Sequence, residues 1–324
     1  MRNSKVKLEA NSCLYCYKSI DEGQDFHKKC SEEFFETPNP PVIKYSLNQM
    51  DELAKNIVER SVSVPGVQAK LSMSLIKGAK KKAGARLTVV GALDGQYIFK
   101  PPSNEFPEMP ANEHLTMRIA EVFGIQVVPS SLIRLASGEI SYITKRIDRT
   151  EDGQKIHMLD MFQITEAFDK YKSSMEKVGK TIGEYSQNTM LDKIFFFELA
   201  LFSFLTGNND MHLKNFSMIN SSSGWLLAPA YDLLNVAIVL PEDKEELALT
   251  LCGKKKKLKQ DHFEKLGKNM GLTDKQIEGA FKRMFRNRPK AIKWIEKSFL
   301  SDEMKTAYKE VIESRYKQIG WFEK

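Results

Sequence analysis

Between residues 70 and 146 apolar and polar positions mostly alternate. The alternation predicts strands at Lys70 to Leu75, Leu87 to Val90, Gln96 to Lys100, 126–134 and 139–146. Leu93-Asp94-Gly95 predicts a hairpin turn joining the second and third strands, and Ser137-Gly138 one joining the last two. A helix interrupts this run. It begins near Pro110-Ala111 and ends at Gly124, with proline in the first turn and glycine at the stop. Before the strands, residues 48–60 carry Leu53, Ile57 and Val58 at helical spacing. Beyond about residue 160 the period becomes that of a helix: Leu191 to Leu205 is strongly apolar, and 261–270, 274–286, 289–297 and 301–318 carry helical stripes. Only Phe216 to Ile219 and Trp225 to Leu227, turned at Ser221 to Gly224, depart from it as a further hairpin. A sheet-rich part followed by a helical part predicts two lobes with a cleft between them.

Composition narrows the class. A chain of 324 residues with 42% hydrophobic and 28% charged residues can bury a full core and hold two lobes. The most apolar stretch is broken by Asp192, Lys193 and Glu198, short of the roughly 18 uninterrupted apolar residues of a membrane span. The basic N-terminus is followed by no apolar h-region, so a cytoplasmic protein without membrane contact is expected. The balance of 49 basic against 42 acidic residues gives +7, which favours acidic partners. The run Lys254 to Lys257 reads as a solvated face.

Two clusters carry candidate chemistry. Cys13-x2-Cys16-x10-His27-x2-Cys30 places paired ligands at both ends of an eighteen-residue stretch, the spacing of a closed structural Zn²⁺ site. Thr37-Pro38-Asn39-Pro40-Pro41-Val42 then reads as a linker, because its prolines neither continue a helix nor donate to a central sheet. Far downstream, Gly207-Asn208-Asn209-Asp210-Met211-His212-Leu213-Lys214-Asn215 leads through the hairpin to Tyr231-Asp232. An acid, an amide five positions on and a second acid are the parts of a phosphotransferase: one group to orient the attacking hydroxyl and two oxygen ligands for Mg²⁺. Asn and Asp beside glycine equally make turns through bonds to their own backbone. Lys100 at a strand end and Glu113 in the first helical turn match the ion pair that positions nucleotide phosphates, or a surface lysine and a helix-dipole glutamate.

Taken together, Ser63-Val-Pro-Gly-Val-Gln-Ala-Lys70, Tyr97-Ile-Phe-Lys100-Pro101, Asn112-Glu113-His114, Lys145-Arg-Ile-Asp-Arg149, the Gly207 to Ser217 loop, Ala228-Pro-Ala-Tyr-Asp232 and Leu251-Cys-Gly-Lys-Lys255 resemble the HipA-like serine/threonine kinase family, the toxin kinases of bacterial toxin–antitoxin systems. The resemblance spans roughly residues 61–320 in the family's order. It implies an α+β, two-lobed protein-kinase-like fold with a β-rich N-lobe and an α-helical C-lobe. The expected parts are 1–42, the Cys/His module and linker; 43–160, the N-lobe; and 161–324, the C-lobe. Because the phosphate loop starts near residue 61, the chain looks like the short HipT type, whose N-terminal subdomain is a separate small protein.

By position, the resemblance implies that Asp210 orients the acceptor hydroxyl with Lys214 beside it, and that Asn215 and Asp232 bind Mg²⁺. ATP would be contacted by Lys100 with its partner Glu113, by Gly66, Val67, Gln68 and Lys70 of the phosphate loop, by Asp160 at the adenine hinge and by His212. Leu159 stands where a glutamate is expected at that hinge. Ser61 and Ser63 resemble the S-x-S autophosphorylation motif of HipT loops, where phosphate would add about −1.5 to −2 charge in the place of ATP phosphates. The implied substrate is an aminoacyl-tRNA synthetase, glutamyl or tryptophanyl. The implied partners are a DNA-binding HipB-like antitoxin, through which alone DNA is met, and a HipS-like subdomain. Two other classes share parts of the pattern. Lipid or small-molecule kinases carry D-x-H-x-x-N, matched by Asp210, His212 and Asn215. A catalytically silent module could act on DNA or a repressor through its basic surface, against which the intact Lys100, Asp210, Asn215 and Asp232 argue.

Overall fold

The computed structural model describes residues 12–50, 52–53, 70–76, 85–91, 95–150 and 152–320. Five expected site residues, Ser61, Ser63, Gly66, Val67 and Gln68, lie outside them, as do residues 54–60 of the expected early helix. The chain groups into two compact units, one of residues 1–114, 128–153 and 297–301, the other of residues 115–127, 154–296 and 302–324.

The first unit is built on a six-stranded sheet, with β1 (Val42–Ile43), β2 (Leu71–Ile76), β3 (Arg86–Gly91), β4 (Tyr97–Lys100), β5 (Ser130–Arg134) and β6 (Ile140–Lys145) in the order β1-β3-β2-β4-β6-β5. Only the β1–β3 pair is parallel. The proline linker thus ends in a two-residue edge strand, where missing N–H groups cost nothing in the ladder. β5 and β6 form the expected hairpin, with Gly138 at φ +103° in its turn. The other expected hairpin is corrected: β2 lies between β3 and β4 and pairs with both, so β3 and β4 are not hairpin partners, and Leu93 and Asp94 of the expected turn lie outside the described residues. Buried Leu71 and Met73 make β2 an interior strand, and an interior strand must satisfy both of its hydrogen-bonding edges. Two helices belong with this sheet: α1 (Lys28–Phe35) and the first turns of α2 (Met109–Val122). α2 ends as its sequence predicts. Gly124 takes φ +83° and Ile125 N donates back to Ala120 O at 3.0 Å, a glycine-capped terminus.

The second unit is mainly helical: α3 (Met161–Ile164), α4 (Met175–Tyr185), α5 (Thr189–Leu205), α6 (Gln260–Asn269), α7 (Asp274–Lys297) and α8 (Asp302–Ile319). Its small antiparallel sheet runs β7 (Met158–Asp160), β8 (Ser217–Ser221), β9 (Gly224–Leu227). α5 is apolar on every side because it is buried on every side, from Phe196 to Leu205. Asp192 within it accepts from Ser186 Oγ at 2.6 Å and from Leu227 N at 2.7 Å, tying the helix start to β9. Glu198 is also buried and pairs with Arg283, while burial still raises its carboxyl above the ordinary value. The expected break between 286 and 289 does not occur: α7 runs through Pro289. Buried Ile277, Phe281, Met284, Ala291 and Ile295 keep one stripe in phase across the proline, and their packing outweighs the ~3 kcal/mol a helical proline costs. Among the described residues no helix is long and apolar enough to cross a membrane.

Candidate active site

The loop after α5 is shaped before any chemistry is considered. Gly207 takes φ +70°, and a Cβ there would come within 2.7 Å of both Asn235 Oδ1 and Val311 Cγ1, so any other residue is strained and must displace a neighbour. Asn208 is fully buried and its Oδ1 accepts from Asp210 N at 3.3 Å. Asn209 Nδ2 donates to Asp243 Oδ2 at 3.0 Å and Glu245 O at 3.1 Å. Turn chemistry therefore does hold at Asn208, whose side chain bonds the Asp210 N–H, while Asn209 anchors the loop to residues 243–245. The Asp210 carbonyl accepts from His212 N at 2.8 Å and from Asn215 Nδ2 at 3.0 Å. That second bond explains the five-residue spacing, since the amide closes the loop and leaves Asn215 Oδ1 as the atom able to serve a cation.

Two residues that the sequence did not single out touch this loop. Tyr171 Oη donates to Asp210 Oδ1 at 2.8 Å, and Lys170 Nζ lies 2.9 Å from His212 Nε2. The Tyr171 ring meets the His212 ring edge-on at 5.1 Å, and Leu213 N donates to Lys170 O at 3.2 Å. Lys170 and Tyr171 sit in a polar stretch without period, and 39 positions separate Tyr171 from Asp210, so no local pattern could have revealed them. Burial lowers the His212 pKa; the Asp210 and Asp232 carboxylates oppose this and Lys170 reinforces it. An ammonium facing Nε2 fixes the neutral tautomer with its proton on Nδ1, a buried atom with no partner among the described residues. Burial, together with the bond to Asp210, likewise raises the Tyr171 phenol and keeps it a donor.

Asp232 reaches the same neighbourhood from beyond the hairpin. Its backbone is left-handed, φ 61°, a conformation aspartate tolerates better than most residues. Tyr231 donates to Lys214 O at 2.9 Å, so the 2.5 Å contact with Ser217 is a bond from the serine hydroxyl to Tyr231 Oη. This pair ties Asp232 to the 3-10 turn Leu213–Asn215. Lys214 is exposed and lies over the Phe162 ring at 4.8 Å. Asp160 pairs with Ser217 across β7 and β8 and caps α3, accepting from Gln163 N at 2.8 Å; burial raises its carboxyl.

In the first unit Lys100 and Glu113 form an ion pair at 2.6 Å, 4% and 1% exposed, with Lys100 Nζ also 5.4 Å from the Tyr142 ring centre. The surface-lysine reading of Lys100 is thereby excluded. Burying two charges costs several kcal/mol per ion before their attraction is counted, an arrangement with little to offer stability. Lys70 stands exposed just before β2.

Cys13, Cys16, His27 and Cys30 converge, with all ligand atoms within 4.8 Å of one another. His27 Nδ1 lies 3.4 Å from Cys16 Sγ and 3.7 Å from Cys30 Sγ, while its Nε2 meets Ser19 O at 3.0 Å. A tetrahedral Zn²⁺ with bonds of about 2.0–2.3 Å sets its ligands roughly 3.5–3.8 Å apart. The residues therefore fit the ion, and the Ser19 carbonyl holds the ring in the tautomer that frees Nδ1 for it.

A buried lysine–glutamate pair on an antiparallel sheet, with an acid–amide loop and a second acid in a helical unit, defines an α+β protein of the kinase-like class. The chain belongs to the HipA-like C-terminal domain family, whose model matches residues 62–292. Y4dM of Sinorhizobium fredii is 31% identical over 231 residues, 66% of this chain and 55% of that protein. The serine/threonine-protein kinase toxin HipA of Shewanella oneidensis is 26% identical over 212 residues, 59% of this chain and 46% of the relative. The chain thus spans about half the length of the curated relatives it matches. Among solved structures, Shewanella oneidensis HipA, in a complex with HipB and operator DNA, superposes with a TM-score of 0.65 at 21% identity, covering 79% of this chain and 65% of that one. The Helicobacter pylori proinflammatory kinase CtkA gives 0.52 at 16% identity, covering 77% and 93%. These likenesses show the HipA-like fold.

Proposed function

We propose that this chain is an ATP-dependent serine/threonine protein kinase, the toxin of a HipA/HipT-type toxin–antitoxin system. The observation that carries the reading is the loop at Asp210, where one carboxylate oxygen is held by Tyr171 and the other is left for an acceptor hydroxyl. Asp210 takes the hydroxyl proton as the serine or threonine oxygen bonds to the γ-phosphorus and the bond to the ADP oxygen breaks. Lys214 offsets charge on the phosphoryl group in transit. Asn215 Oδ1 and the Asp232 carboxylate are hard oxygen donors suited to Mg²⁺, which when bound neutralises nucleotide phosphates. Lys100, oriented by Glu113, contacts the α- and β-phosphates. Lys70 with Gly66, Val67 and Gln68 forms the phosphate loop, Asp160 lies at the adenine hinge, and His212 adds a neutral donor near the metal. Zn²⁺ at Cys13, Cys16, His27 and Cys30 is structural, because four donors leave no open position.

The acceptor in this reading is an aminoacyl-tRNA synthetase, tryptophanyl or glutamyl, so that tRNA charging stops in the cytoplasm. Phosphate on Ser61 or Ser63 turns the kinase off. A HipB-like antitoxin and a HipS-like subdomain neutralise it. The test is transfer of label from γ-labelled ATP, with Mg²⁺, to purified synthetases and to the chain itself, followed by phosphopeptide mapping. Label on a synthetase, lowered at least ~10²-fold in Asp210→Ala, is the expected outcome. Label on lipid and on no protein would replace this reading with a lipid kinase.

A further inference from the structure

The Cys13 to Cys30 module is packed onto the elements that carry Lys100 and Glu113. Leu132 N of β5 donates to Leu14 O at 3.3 Å, and Asp25 pairs with Arg134 of the same strand at 2.9 Å. The module thus meets the sheet at its β5 edge. From there it covers both faces. Tyr97 pairs with Lys145, and Lys100 with Tyr142, across β4 and β6. Residues three apart on a strand point to opposite faces, so Tyr97 and Lys145 share one face while Lys100 and Tyr142 share the other.

On the first face lies α1. The Phe34 and Phe35 rings stand 5.9 and 6.3 Å from Tyr97, and Glu36 pairs with Lys145 at 2.7 Å. On the second face lies the start of α2, with Glu113 on Lys100 and the His114 ring 6.5 Å from Tyr142. Tyr17, from the turn between the ligands, reaches this face too. Its Oη is 2.9 Å from His114 Nδ1, wholly buried, and its ring stands edge-on to Phe299 at 4.9 Å. Tyr17 has a left-handed backbone, φ 59°, and its N–H donates to Cys13 O at 2.9 Å. A non-glycine residue keeps such a conformation only where its surroundings over-determine it. Here the surroundings are a turn that carries two metal-type ligands, Cys13 and Cys16, and the buried contacts with His114 and Phe299.

We propose that Zn²⁺ on Cys13, Cys16, His27 and Cys30 makes this module a clamp on the nucleotide lysine, with Tyr17 acting through His114 to hold Glu113 against Lys100. Tyr17 is a positioning residue. The clamp makes nucleotide affinity dependent on the metal, so zinc loss disarms the kinase without touching the Asp210 loop. The inference rests on the ATP reading of Lys100.

The test uses the full chain. Metal content is measured on the purified protein, then MgATP affinity before chelation, after chelation and after Zn²⁺ is restored, with circular dichroism at each stage. One zinc per chain, a fall of at least about tenfold in affinity on removal and its recovery on return are expected. Tyr17→Phe should keep its zinc and its spectrum, raise the KM for ATP about fivefold, in proportion to one lost hydrogen bond, and leave kcat nearly unchanged. If chelation unfolds the chain, the Tyr17→Phe result decides. A zinc-free chain that binds MgATP like the loaded one, or a Tyr17→Phe chain with unchanged KM, overturns the clamp and leaves the kinase reading standing. A zinc-loaded chain that binds no MgATP removes both.

Discussion

Asp210 is a carboxylate with one oxygen engaged and one available, and the engagement comes from Tyr171. A phenol donor at 2.8 Å fixes the carboxylate rotamer without neutralising it. Tyr171→Phe keeps the ring against His212 and under the Lys170 ammonium, which stands 4.8 Å from its centre, and removes only that bond. Lowered kcat, by about tenfold, with the KM for ATP unchanged, is expected from steady-state kinetics, in line with roughly 1.5 kcal/mol for a hydrogen bond to a charged group. A faster enzyme would mean instead that Tyr171 blocks the acceptor's place. Asp210, Asn215 and Asp232 could be singled out as candidates from residue type and spacing alone. Tyr171 and Lys170 were not, because a tyrosine in a polar stretch carries no mark of the carboxylate it will meet 39 residues on.

Between α5 and β8 the backbone, more than any side chain, sets where the acid stands. Gly207 is the pivot. Gly207→Ala must carry an alanine at φ +70° and place its Cβ against Asn235 and Val311. Left-handed strain of about 1–2 kcal/mol and overpacking of about 1–3 kcal/mol give an expected loss of roughly 2–5 kcal/mol, read from the denaturant midpoint. An unchanged midpoint would show that the loop relaxes freely and that glycine is incidental. Helices α2 and α5 and the β5–β6 and β8–β9 hairpins were each legible, since caps, turns and apolar periods act within a few residues. The β3–β4 hairpin was not, because a good turn sequence states that the chain reverses and not which strand fills the place beside it.

Stability of the whole molecule should carry the signature of His212. Its folded-state pKa lies below the ordinary value of 6.5, chiefly through burial. The unfolded chain therefore takes up this proton first as pH falls, so the contribution is present in full above 6.5 and is lost as pH drops through the lowered folded value. Denaturant unfolding between pH 5 and 8 should show a steeper acid loss in the native chain than in His212→Gln. Equal slopes would place His212 in contact with water. The sequence alone determined what acts over short distances: the acid–amide loop, the ligand spacing of the Cys/His module, the helix stops and the family these motifs mark. Tertiary structure decided what joins distant positions: β2 between β3 and β4, Lys170 and Tyr171 on the loop, and Tyr17 on His114, 97 residues away. The reason is physical. Backbone geometry and residue type settle local hydrogen bonds, whereas long-range partners are chosen by packing, for which many sequences share one pattern of apolar and polar residues.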